Sequence, residues 1–322
     1  MTRKRRMRAL MIAAALAATC AHADYPERPI RFIMPYPAGG SIDFGGRTVA
    51  ARLAENLGQQ IVVDNRTGSG GTIGTETAAR AAPDGYTIVM GGVGTLAISP
   101  NLQRKLPYDP LKDFAPITML ASTPYVLVLH PSVAAASVRE LVALAKARPG
   151  QMTYASGGNG SAPHLAGEYF KSLAGLDILH VPYKGSTPAI TDLIAGQVQM
   201  LFTGIPPVLA HIKSGRLRAI AVTSAQRAAA MPELPTLRES GLREFEVSPW
   251  FGVLAPARTP AALIGRLNRE MVAILQTSAI RQRFSTEGIE VVGDTPAHFA
   301  EYIQHELVKW SRVIRAAGIR AD

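Results

Sequence analysis

Cysteine is nearly missing from this chain: among 322 residues only Cys20 carries a thiol, and it falls in a segment expected to be removed. A mature protein without cysteine has no disulfide and no thiolate chemistry. The seven histidines are scattered without metal-ligand spacing, and no H-E-x-x-H, Walker or EF-hand pattern occurs. No metal or other cofactor is therefore expected. Beyond the first two dozen residues no apolar run approaches the ~18 residues that a membrane-spanning helix needs, so the mature protein is expected to be soluble. Clusters of Lys and Arg interleaved with aromatics are lacking too, which excludes nucleic acid as an expected partner.

What is present begins with an address. Arg3, Lys4, Arg5, Arg6 and Arg8 precede an apolar run from Ala9 to Ala18 and then Ala21, His22 and Ala23. This is the layout of a secretory signal peptide over residues 1–23, cleaved after Ala23, and it points to the periplasm. Two readings compete with it: Arg5 and Arg6 as a twin-arginine signal, and Cys20 as a lipidation site, although Thr19 fits poorly before a lipidated cysteine. Removal of five cations leaves 29 Lys and Arg against 24 Asp and Glu, so the formal charge falls from +10 to +5. A mild positive field of this kind favours acidic small molecules. With 47% hydrophobic residues the chain can build one large or two medium cores.

The mature chain is organised around Pro35 to Arg47, PYPAGGSIDFGGR. It follows the apolar run Ile30, Phe32, Ile33, Met34 and precedes Val49, Leu53 and Leu57, which recur every four residues. That order predicts strand, glycine loop, helix start. Gly39 and Gly40 open the turn and Ser41 is a candidate cap. The loop's amide N–H groups, with a helix dipole behind them, form a cup suited to an anion. Asp43 is a first-turn helix residue placed to pair with Arg47 at i,i+4.

The same grammar recurs. Ile61 to Asp64 and Thr87 to Met90 read as further strands, the latter ending in Gly91 to Thr95. Pro100 to Pro124 is proline-punctuated and reads as a connector. Tyr125 to Leu129 is a strand, and Ser137 with Glu140 forms a capping box that opens a helix. Strands then follow at Met152 to Ala155, Ile178 to Val181, Val198 to Phe202 and Arg218 to Thr223, with helices between them. This is a second run of parallel α/β units. Val247 to Pro256 is a last strand before helices at Pro260 to Gln276, Ala279 to Thr286 and Pro296 to Arg315. If the first lobe recovers this C-terminal part, the chain crosses between lobes near Pro124 and near Pro249, leaving a cleft between them.

Five strand ends offer small polar turns: Ala38 to Ser41, Gly91 to Thr95 (with Gly94), Ser156 to Ser161, Gly185 to Thr187, and Thr203 with Gly204. Backbone N–H and neutral hydroxyl groups suit binding more than catalysis. Ser161 and His164 lie three apart, a spacing open to a hydrolase, but no G-x-S-x-G elbow surrounds them. Gly92, Gly94 and Ala97 formally match G-x-G-x-x-A, yet Pro100 prevents a long helix from following. Tyr183 and Lys184 stand where an aromatic and a cation can wall and steer an anion; an ordinary surface turn reads equally well.

These strings in order, PYPAGGSID, DNRTGSGGTIG, APDGYTI, LPYDPLKDFAPI, YASGGNGSAPHLAGE, HVPYKGSTPAITDLIAGQ, LRAIAVTSAQR, ELPTLRESG and SPWFGVLAP, resemble the Bug family of periplasmic solute-binding proteins, receptors of tripartite tricarboxylate transporters. The resemblance runs from Tyr25 to the last helix. It implies a type II periplasmic binding protein fold of class α/β: two lobes, 24–124 with 250–322 and 125–249, a double crossover and an interlobe cleft. It implies a small organic carboxylate as ligand, membrane transporter subunits as partners, a monomer, and no catalysis; a periplasmic hydrolase working in the same cleft is the alternative. Carried onto this chain, the site falls at Tyr36, Ala38, Gly39, Gly40, Ser41 and Asp43 in one lobe, and at Ser156, Gly158, Asn159, Ser161, His164, Tyr183 and Gly185 in the other. Two departures stand out. Thr203 and Gly204 replace an Asp and Asn common in relatives, which makes a ligand ammonium less expected, and Phe44 and Gly45 replace a small aliphatic pair.

Overall fold

A computed structural model describes residues 25–103, 105–183, 185–316 and 318–319; the signal segment with Cys20 and Ala23, and Lys184, lie outside the described residues. The chain runs β1 (Ile30–Met34), α1 (Ser41–Leu57), β2 (Ile61–Asn65), α2 (Thr72–Ala79), β3 (Thr87–Gly92), a π-helical turn (Gly94–Ile98), α3 (Ser99–Leu102) and β4 (Phe114–Ser122). It continues with β5 (Tyr125–Leu129), α4 (Val138–Ala147), β6 (Thr153–Ser156), α5 (Ala162–Ala174), β7 (Leu179–Pro182), α6 (Ser186–Ile194), β8 (Met200–Gly204), α7 (Pro206–Lys213) and β9 (Arg218–Val222). Last come β10 (Trp250–Pro256), α8 (Ala261–Gln276), α9 (Ser278–Thr286), β11 (Glu290–Val291) and α10 (Pro296–Ala316).

The strands form two sheets, ordered β11-β4-β10-β3-β1-β2 and β7-β6-β8-β5-β9. The chain passes from the first to the second between Ser122 and Tyr125 and returns between Val222 and Trp250. Those two passages lie side by side: the Thr123 amide donates to Pro249 O at 2.7 Å, and the Thr223 hydroxyl donates to Val247 O at 2.5 Å while accepting the Tyr125 amide at 2.9 Å. This is the two-lobe, double-crossover α/β fold.

Burial on both faces explains why the strands read as continuous apolar runs. In β5, Leu127 and Leu129 join one core while Val126 and Val128 join another; in β10, Trp250 and Leu254 face one side and Phe251, Val253 and Ala255 the other. Successive side chains point to opposite faces, so each strand feeds two cores.

Three sequence expectations change. The connector contains β4, nine residues that pair antiparallel with β10 and β11. Strands β5 and β10 are antiparallel to their neighbours, so both sheets are mixed. Ser41 begins α1 instead of capping it; the cap is Gly40, with no side-chain bond. Helix α4, by contrast, starts on Ser137, whose side chain accepts the Glu140 amide.

Candidate functional site

At the carboxyl end of β1 the loop is held from inside by Asp43. Only 3% exposed, its Oδ2 accepts the Gly39 amide at 3.0 Å and Arg47 Nε at 2.9 Å, and its Oδ1 accepts Asn65 Nδ2 at 2.9 Å. Burial pushes this carboxyl's pKa up, but the bonds from Arg47, Asn65 and Gly39 outweigh it and hold the group below the usual carboxylate range. Both carboxylate oxygens are therefore engaged with the protein itself. Asp43 shapes the loop, while Ala38, Gly39, Gly40 and Ser41 form its exposed rim. Gly39 sits at φ +86°, a conformation that favours glycine.

Behind the rim, the Tyr36 hydroxyl lies 3.3 Å from Thr95 Oγ1. Burial pushes the Tyr36 phenol up to about 12, so it stays protonated at neutral pH. Thr95 is fully buried; its hydroxyl also meets the Gly92 amide and carbonyl, and its own carbonyl accepts the Tyr108 hydroxyl at 2.7 Å. A third loop, Gly68 to Gly74, closes on the same place. A Cβ at Gly71 would stand 2.7 Å from Thr95 Cγ2 and 3.2 Å from Pro35 O. Only glycine permits that approach.

In the second lobe, the loop Ser156–Ser161 abuts Tyr183 and Gly185. The Tyr183 amide donates to Ser156 O at 3.1 Å and the Gly185 amide to Gly157 O at 3.2 Å. The Ser161 hydroxyl donates to Gly158 O at 2.7 Å, and its oxygen accepts the His164 amide at 3.4 Å. It is the cap of α5. The His164 imidazole is turned to the Gly160 amide, which donates to Nδ1 at 3.1 Å. Serine and imidazole thus face different partners, an arrangement that gives no nucleophile–base pair. The Tyr183 hydroxyl donates to Asp192 Oδ2 at 2.7 Å, and burial with that carboxylate pushes its pKa up to about 12.

Of the sequence-predicted positions, the structure gathers Tyr36, Ala38 to Ser41, Asp43, Gly94 and Thr95 at one sheet, and Ser156, Gly158, Asn159, Ser161, His164, Tyr183 and Gly185 at the other. Thr203, 2% exposed, is the penultimate residue of β8, opposite Val126 of β5. Between the two groups stands α3: the side-chain Nε2 of Gln103, which follows it, donates to Thr72 Oγ1 at 3.3 Å, and a Cβ on Gly160 would lie 3.2 Å from Leu102 Cδ1. Sequence reasoning missed Asn65 of β2 and His180 of β7 as hydrogen-bond partners of these loops, and Gly71 as a close neighbour of Thr95. The run GSGG before α2 carried a signal for Gly71; nothing local marked the other two. Among the described residues no group of three or more His, Cys, Asp or Glu is gathered as a metal site, and no helix is long and apolar enough to cross a membrane.

Comparison with known proteins adds relatives along the whole chain. The sequence profile described as tripartite tricarboxylate transporter family receptor matches residues 46–319. Protein BugT of Bordetella pertussis is 41% identical over 322 residues, 99% of each chain. Among solved structures, R. palustris Rpa4515 with adipate superposes with a TM-score of 0.83 at 35% identity, covering 92% of this chain and 99% of that one. MatC from Rhodopseudomonas palustris with bound malate gives 0.78 at 30% identity, with 90% and 100% covered.

Proposed function

The chain belongs to the tripartite tricarboxylate transporter receptor family, and we propose that it captures a small organic carboxylate between its two lobes and delivers it to a membrane transporter of that type. The observation that carries this reading is the pair of polar, glycine-rich loop clusters at strand ends of two sheets joined by two adjacent crossovers. The family and its structural neighbours are solute-binding receptors rather than enzymes.

In this reading residues 24–124 with 250–322 and residues 125–249 are the lobes, supported by the membership of their strands in separate sheets. The loop rims supply the ligand contacts, from Ala38 to Ser41 on one side and from Gly158 to Ser161 with Tyr183 and Gly185 on the other. Asp43, Thr95, Ser156, His164 and Thr203 act from beneath. A ligand that touches both lobes only when they close stabilises the closed state by its differential affinity. Export is by the signal segment with cleavage after Ala23, and the mature receptor is a periplasmic monomer.

A thermal-shift screen of mature protein against mono-, di- and tricarboxylates, adipate and malate included, tests the reading. Saturation at about 100 times Kd stabilises the folded state by ~2.7 kcal/mol. Absence of a shift with every acid would sink it, and chemical turnover of a hit would replace it by an enzyme. Elution volume in size exclusion tests the monomer.

A further inference from the structure

Beneath the second-lobe loop lie two imidazoles that packing alone does not explain. Ser156 is fully buried, and its hydroxyl meets His180 Nε2 at 2.7 Å while accepting the Gly158 amide at 3.1 Å. Two residues further along, the Gly160 amide donates to His164 Nδ1 at 3.1 Å. His164 comes from α5 and His180 from β7, yet their rings stack at 4.1 Å with 22° between planes. His180 also stacks against Tyr154 of β6 at 4.8 Å. Each ring therefore spends a nitrogen on one limb of the loop, and the stack ties the limbs together.

Resting on the receptor reading of this site, we propose that His180 is a positioning residue: neutral and stacked on His164, it holds Ser156–Ser161 in the shape that receives the ligand, and acid releases that loop. A neutral His164 accepts the Gly160 N–H at Nδ1; protonation there sets two donors against each other. The charged and titratable groups around the pair are Glu168 and Lys171 on α5 and Tyr154 on β6. Glu168 takes the Tyr154 hydroxyl at 2.5 Å and Lys171 Nζ at 2.8 Å. Glu168 is thus occupied with two donors of its own and leaves the imidazoles without a dedicated counter-ion. Burial and the neighbouring His164 ring lower the His180 pKa to about 4, and burial lowers that of His164 as well.

The test compares wild type, His180→Phe, which keeps a stacking ring, and His180→Gln, which keeps a hydrogen-bonding group. Amide-exchange protection is measured at Gly158, Gly160 and the remote Val253, and adipate and malate affinities are measured by calorimetry from pH 7.5 to 4.5. Expected in His180→Phe are at least tenfold losses of protection at Gly158 and Gly160 with Val253 unchanged, and at least tenfold weaker binding. Wild-type affinity should fall as pH drops toward about 4, whereas the Phe variant, which keeps His164, should show a shallower fall and Gln should recover part of the affinity at pH 7.5. Unchanged protection in His180→Phe, or the same pH profile in all three proteins, overturns the proposal. If wild type binds no acid, the receptor reading fails, yet the exchange comparison still decides the positioning role. If the Phe variant does not fold, the Gln profile and wild-type protection at pH 5 against pH 7 decide it.

Discussion

Replacing Asp43 by alanine should cost far more than replacing its ion-pair partner Arg47. The carboxylate is buried and serves three donors, the Gly39 amide, Arg47 Nε and Asn65 Nδ2. Arg47 is 48% exposed and can return to water. Charge-assisted bonds at a buried acceptor contribute about 1.5–3 kcal/mol each before solvent takes over the freed donors, so Asp43→Ala should lose about 2–4 kcal/mol. An exposed partner is worth ~1 kcal/mol or less, which is the expectation for Arg47→Ala. The folded pKa of Asp43 is depressed, so its stabilisation is full above its unfolded value and is lost as pH falls through the folded one. Urea unfolding followed by tryptophan fluorescence, at pH 7 and then below pH 4, measures both effects. Asp43→Ala should also flatten the acid limb of stability and weaken carboxylate binding, because the Gly39 amide is no longer fixed. Equal losses for the two variants would refute the reasoning, since the ion pair and not the loop anchor would then be what matters.

Glu306 is 4% exposed, and its Oε2 accepts the indole N–H groups of both tryptophans, Trp250 at 2.9 Å and Trp310 at 3.0 Å. Glu306→Ala should destabilise by about 3–5 kcal/mol in urea, with two buried donors orphaned. An unfolded chain takes up the His180 proton near 6.5 while the folded one holds it off to about 4. Stability should therefore fall as pH falls across that window, by ~3 kcal/mol unscreened and about 1–2 kcal/mol for a half-buried ring; His180→Phe unfolding curves at pH 7 and pH 4.5 should differ less than those of wild type. Gly40 has φ −83°, and a Cβ there would have Pro37 O as its nearest neighbour at 4.0 Å. Gly40→Val should leave the melting temperature within a few degrees while carboxylate affinity falls at least tenfold by calorimetry.

Much of this protein was legible along the chain because its signals are local. Alternation, glycine turns and caps placed β1, β2, β3 and the strands from β5 to β10, and the strand-end loops marked where polar groups gather. The antiparallel setting of β5 and β10 was not legible, because a strand buried on both faces has the same apolar pattern in either direction. Strand β4 escaped because Pro116 interrupts its pattern; its strand character is fixed by pairing with β10, more than a hundred residues away.

The sequence by itself therefore determined the α/β grammar and the placing of small polar turns at strand ends, which follow from propensity and periodicity over a few residues; periodicity left the double passage between lobes open, and the pairing of strands into two sheets decided it. Tertiary structure decided which polar side chains are already engaged in holding the loops. Asp43 reads in the sequence as a first-turn helix residue paired with Arg47, and the fold adds the Gly39 amide at the same oxygen and Asn65 from another strand at the other. His180 reads as one more strand residue until the fold brings it against His164, sixteen positions earlier, where both rings meet the same loop. Hydrogen bonds saturate, and which groups are already spent depends on partners that only the folded chain supplies.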